Sequence, residues 1–161
     1  MKRVLAVSLF AVGALAIVAI AGGQAPVEVP FPSPKTEVFV YGETVTAVES
    51  TAGPAGATTN YFARGATVVF RAFAGDVKTK KILTGQDKVK YFYVEIPGQP
   101  NLKLVYGKVG NGSMWTGNWT IPADYPLGVV VFRIRVKTHE KRYGSFEQVP
   151  VATSQLTVTK A

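Results

Sequence analysis

From Gly128 to Thr138 the side chains alternate one by one. Val130, Phe132, Ile134 and Val136 fall on one side, and Val131, Arg133, Arg135 and Lys137 on the other. A period of two is the period of an extended strand, and an apolar face opposite a basic one marks a sheet with one buried and one wet side. No stretch beyond residue 35 carries the 3.6-residue apolar period of a helix. That restricts the chain to an all-β fold.

The other strands follow from the same alternation and from the glycines and prolines that interrupt it. Thr36–Val48 is rich in Val, Thr and aromatics, with Gly42 marking a bend or bulge. Ser50–Thr59 is a loop of small residues. In Ala66–Ala74, Val68, Phe70, Ala72 and Ala74 point one way, although Val69 and Phe73 blur the contrast. Lys88–Ile96 places Val89, Tyr91, Tyr93 and Glu95 opposite Lys90, Phe92, Val94 and Ile96. Leu102–Tyr106 is short, Gly107–Ser113 a turn, and Met114–Ile121 a further strand. Phe146–Thr159 closes the chain, bent near Pro150, with Leu156 and Val158 inward. About seven short strands separated by Gly/Pro turns predict a single antiparallel β-sandwich over 36–161.

The first 35 residues are of another kind. Met1-Lys2-Arg3 precedes an uncharged run from Val4 to Ala21, and Ala19-Ile20-Ala21 offers small residues at a cleavage position. This reads as a signal peptide over 1–21, with an uncleaved membrane anchor helix as the alternative, since 18 apolar residues just span a bilayer. Either way the chain is exported: secreted, periplasmic or at the cell surface. Pro26, Pro30, Pro32 and Pro34 make 22–35 an extended spacer. With no cysteine the domain has neither disulfide nor lipoprotein lipid. Its stability must come from burial, for which 140 residues suffice.

Without Lys2 and Arg3 the chain keeps 16 basic and 10 acidic residues, a net charge of +6. That favours solubility and anionic neighbours: an acidic envelope or extracellular protein, phospholipid headgroups or an acidic polysaccharide. Membrane contact is expected only through the N-terminal segment, and nucleic acid is not expected, for no recognition motif is present.

Enzyme chemistry finds little support. One histidine and no cysteine cannot supply the four N/S ligands of a structural zinc site, and no cofactor is expected. His139 is read as a solvated loop residue. No G-x-S-x-G elbow or phosphate-binding glycine motif is present. Glu95 and Asp124 have no sequence neighbour with which to form a carboxylate pair. Glu95 is placed on a wet face, and Asp124 in a turn.

Trp115-x-x-x-Trp119-x-Ile121-Pro122, then Pro126-x-Gly128, the alternating strand, a charged hairpin and Leu156-Thr157-Val158 resemble the C-terminal half of bacterial immunoglobulin-like domains. Three features depart from that pattern, the first being Thr138-His139-Glu140-Lys141-Arg142-Tyr143-Gly144 in place of an Asp-x-x-Gly-Asn hairpin. Val130 stands where a corner tyrosine is common, and the cysteine pair of antibody domains is missing. The resemblance implies strands A (Thr36–Val48), B (Ala66–Ala74), C (Lys88–Ile96), C′ or D (Leu102–Tyr106), E (Met114–Ile121), F (Gly128–Thr138) and G (Phe146–Thr159). It also implies that the B–C and F–G loops share one end. Both loops are basic, which makes Lys78, Lys80, Lys81, Lys137, Lys141 and Arg142 a candidate surface for an anionic partner. A second candidate is aromatic. Trp115 and Trp119 share a face, as do Tyr91 and Tyr93, and with Tyr106 these rings offer a platform for sugars if they point outward. Facing inward, the tryptophans fill the core, as the resemblance implies. The leading expectation is a non-enzymatic binding or structural module. A carbohydrate-binding module comes second, and a small hydrolase using His139 last.

Overall fold

The computed structural model describes residues 37–47, 56–85, 88–147 and 156–161. The expected leader, the proline spacer, most of the small-residue loop, Asp87 and the bend at Pro150 lie outside the described residues. Those described contain eleven strands and no helix. They are β1 (Val38–Thr46), β2 (Tyr61–Ala63), β3 (Thr67–Asp76), β4 (Val89–Glu95), β5 (Leu102–Lys103), β6 (Val105–Val109), β7 (Gly112–Thr120), β8 (Gly128–Val130), β9 (Arg133–Thr138), β10 (Tyr143–Glu147) and β11 (Leu156–Thr159).

Two four-stranded sheets form the body, in the orders β1-β3-β7-β6 and β10-β9-β4-β5. Each inner face is set by alternation. Val68, Phe70, Ala72 and Ala74 of β3 are buried, as are Phe92 and Val94 of β4 and Ile134 and Val136 of β9. Phe70 meets Phe132 edge-on, with centroids 5.0 Å apart. Each Val, Ile or Phe among them contributes about 1.5–3 kcal/mol when fully buried, and each alanine less.

A third, smaller sheet, β2-β11-β8, was not foreseen, and β2 pairs with β11 in parallel where only antiparallel pairs were expected. It forms because two predicted strands, F and G, each break and release β8 and β11, and because Tyr61–Ala63, not expected as a strand, adds β2. The expected C′ or D strand is broken as well. The chain between β5 and β6 crosses from one main sheet to the other. β5 pairs with β4 and β6 with β7. Leu104 between them is fully buried, and its N–H donates to the Phe92 carbonyl at 2.8 Å. The F strand divides at Val131-Phe132, so that β8 joins β11 and β9 joins β4 and β10. The G strand is likewise β10 and β11 rather than one continuous piece.

Two further corrections concern faces. The β4–β9 register shifts between Val89 and Tyr91, so Val89 enters the core instead of sharing a face with Tyr91. Arg135, expected in solvent, is buried and ion-paired with Glu95 at 3.1 Å.

The two main sheets close on each other where β1 meets β10. Glu37 N–H donates to the Tyr143 carbonyl at 3.2 Å. A Cβ on Gly144 would run into the Val38 carbonyl and lie 2.9 Å from the Val38 Cβ, whereas one on Gly107 would meet nothing within 4 Å. Gly144→Ala is therefore expected to cost about 1–3 kcal/mol, the range of an overpacked core. Gly107→Ala should leave stability close to wild type, with urea denaturation midpoints reading both.

Candidate functional site

The B–C and F–G loops do meet at one end, and a carboxylate joins them. β3 ends at Asp76, and the chain returns in a hairpin closed by a bridge between Gly75 and Ile82. The Asp76 side chain is buried, and Oδ1 accepts the N–H groups of Lys78 at 2.8 Å and Thr79 at 2.9 Å. Oδ2 accepts the Arg142 guanidinium from the other loop. The backbone tightens the same turn. Lys80 N–H donates to the Asp76 carbonyl at 2.8 Å, and Asp76 N–H to the Lys81 carbonyl at 2.9 Å.

The second loop is equally constrained. Thr138 N–H donates to the Arg142 carbonyl at 2.9 Å, and Arg142 N–H donates to Thr138 Oγ1 at 3.1 Å. His139, exposed at the turn, donates its backbone N–H to the Lys88 carbonyl at 3.3 Å, tying in the segment that leads to β4. Lys80 (φ 57°) and Lys141 (φ 63°) both adopt left-handed backbone, uncommon outside glycine.

This frame sorts the predicted cations. Lys78, Lys80, Lys81 and Lys141 are exposed. Lys137 is half-buried, with Nζ 4.8 Å from the Tyr143 ring centroid. Arg142 differs in role from the lysines. It bridges Asp76 and Glu140, so its charge is spent within the loop pair. The Thr79 N–H holds the Asp76 carboxyl below its ordinary value of 3.8; burial opposes this, and the Arg142 guanidinium adds to it.

The aromatic platform does not assemble. Trp115 is 2 % exposed, and its indole N–H donates to the Leu83 carbonyl at 3.0 Å. Trp119 is 7 % exposed, with the Tyr125 ring edge-on at 5.1 Å. The inward alternative for both tryptophans is the one the structure adopts, so neither offers a face to a sugar. Tyr106 leans on Trp115 at 5.4 Å from β6 in one main sheet, whereas Tyr91 and Tyr93 stand on β4 in the other. Tyr91 is exposed and Tyr93 half-buried, with burial and then Glu95 raising the Tyr93 hydroxyl pKa.

Two features escaped sequence reasoning. Tyr125 pins the corner in place of a tyrosine after Gly128, its hydroxyl donating to the Pro97 carbonyl at 2.9 Å. The corner tyrosine thus precedes the glycine. The second is an exposed apolar row, Phe39, Tyr41, Phe73 and Ile82, on the face of β1 and β3 turned away from the core. Phe73 at an outward position of β3 was its only sequence signal. Among the described residues no three His, Cys, Asp or Glu side chains are grouped to hold a metal ion.

No family model and no curated protein matches this chain. Among solved structures it is similar to the GspB Siglec domain, at 13 % identity and a TM-score of 0.38, over 74 % of this chain and 57 % of that one. A likeness at that score carries no argument about function.

Asp76 yields a pH signature. Its native pKa lies below 3.8, so the stability it adds is present above the unfolded value and is lost as pH falls through the native one. Wild type should melt above Asp76→Asn at neutral pH. The gap in Tm should close as pH drops below 3.8, and a gap unchanged at pH 2 would contradict the assignment.

Proposed function

We propose that this chain is an exported, non-enzymatic immunoglobulin-like domain that works by binding, through its cationic loop pole, to an anionic component of the cell envelope or extracellular space. The strand orders β1-β3-β7-β6 and β10-β9-β4-β5 support the fold reading. In the lettering of the resemblance they run A-B-E-D and G-F-C-C′, the two sheets of an immunoglobulin-type sandwich. The fold alone hosts many functions, and the pole is what distinguishes this one.

One observation carries it. Buried Asp76 holds both loops in place through Lys78, Thr79 and Arg142, while Lys78, Lys80 and Lys81 stay exposed. The lysines lie on a turn ordered before any partner arrives, so less backbone entropy is lost when one binds. Arg142, predicted as part of the contact surface, is read instead as the brace that positions it.

Heparin serves as a soluble polyanion probe for the full-length chain. Wild type should bind it with an affinity that falls as salt rises, because exposed charges are screened over about 10 Å at 0.1 M. The Lys78→Glu/Lys80→Glu/Lys81→Glu variant should lose that binding at unchanged Tm. His139→Ala should bind as wild type does. Binding indifferent to salt, or retained by the triple variant, would overturn the reading.

A further inference from the structure

The row of apolar side chains beside the pole faces away from the core, and of it Tyr41 meets a core-side ring, Phe146, edge-on at 6.2 Å. Directly opposed residues of an antiparallel pair share a face. Tyr41 opposes Phe73, Phe39 opposes Gly75, and Gly75 bridges Ile82 on its other side. These three strands therefore present Phe39 (61 % exposed), Tyr41 (46 %), Phe73 (36 %) and Ile82 (61 %) together to solvent. Gly75 leaves a gap between Phe39 and Ile82, where an added Cβ would come no closer than 3.9 Å to its nearest neighbour. Val77, also exposed, extends the row toward the hairpin tip, where Lys78, Lys80 and Lys81 stand. Single exposed apolar residues are ordinary, whereas a contiguous group bounded by charge marks a contact surface.

We propose that this face docks on the surface of an anionic lipid bilayer. Charge complementarity supports this. Three exposed lysines border the row, against the exposed Glu37 beside Val77, and Glu43 on the same face is paired with Arg71 at 3.8 Å. Lysine stems lie along apolar surface while their heads reach anionic groups, the arrangement of interfacial membrane contacts. The chain also enters the domain at this end. The apolar run ends at Ala21, with 15 residues between it and Glu37, and β1 starts beside the lysine hairpin, since Val77 N–H bonds the Glu37 carbonyl at 3.0 Å. Fifteen residues reach about 50 Å at most. Under the anchor alternative for 1–21, an uncleaved run in a bilayer keeps this end of the sandwich within touching range of its surface; charge complementarity stands without it. The proposal rests on the anion-facing reading of the pole and names the anion as lipid.

The test places a tryptophan on the row. Both native indoles are buried and provide a constant background. Full-length chain carrying Phe39→Trp is mixed with phosphatidylglycerol/phosphatidylcholine vesicles containing brominated lipid. A parallel Val129→Trp chain reports an exposed site on β8, in the smaller sheet. Quenching at position 39 and not at 129 is expected, with little at either site in pure phosphatidylcholine. Adding the three Lys→Glu changes should lower the docked-to-undocked ratio by at least about a hundredfold: loss of each lysine near an anionic surface costs about a factor of five, and the added carboxylates are repelled besides. Vesicle-bound chain with no quenching at 39 would overturn the proposal, as would equal quenching at both sites or in zwitterionic vesicles. Concentration-dependent shielding of the new indole without vesicles would replace lipid with a second copy of the chain. Salt-sensitive heparin binding alongside absent quenching would sink the lipid assignment alone. Failure of both would sink the anion-facing pole as well.

Discussion

Packing of β3 side chains against β9 and against Phe132, which lies just before β9, holds the two main sheets of this molecule together. Phe70 against Phe132 lies at its centre, flanked by Val68, Ala72, Ile134 and Val136. With no cysteine in the chain, nothing covalent shares the task. Burial is non-directional, so it sets that the sheets face each other but not which residues end each strand. The directional work falls to isolated polar contacts at the edges: Glu37 with Tyr143, Trp115 with Leu83, and Tyr125 with Pro97.

This division explains what was legible in advance. Val68, Phe70, Ala72 and Ala74 were read inward from alternation alone, as were Val130, Phe132, Ile134 and Val136, because a period of two encodes a face directly. Strand ends were not legible, since they depend on which partner a backbone finds. Nothing local to Leu102–Tyr106 says that Leu104 is the point at which the chain changes sheets. Likewise Val131 and Phe132 continue the alternation through a break in pairing. Arg135 was placed in solvent by its type. Glu95, forty residues earlier, supplies the partner that makes its burial tolerable.

The candidate pole shows the same limit. Composition placed basic residues in two loops and the resemblance placed those loops together, but neither distinguished Arg142 from its neighbours. Only Asp76 does so. A buried carboxylate accepting two backbone N–H groups takes a guanidinium as its remaining partner. A planar cation whose two terminal nitrogens reach Asp76 and Glu140 at once suits that brace better than an ammonium on a flexible stem. The lysines are left for whatever lies outside. The apolar row was harder to see, because Phe39, Tyr41 and Phe73 obey the alternation of a strand and differ only in lying on its wet side.

The parallel pairing of β2 with β11 has a mechanical side. β11 ends two residues before the last residue given and is bonded on both edges, to β2 and to β8. Tension applied from Ala161 along the strand axis loads both rows of backbone bonds in shear, so they must break together rather than peel one at a time. An edge strand pulled sideways would unzip. For a domain held at its N-terminal side and pulled from the other, this small third sheet acts as a latch.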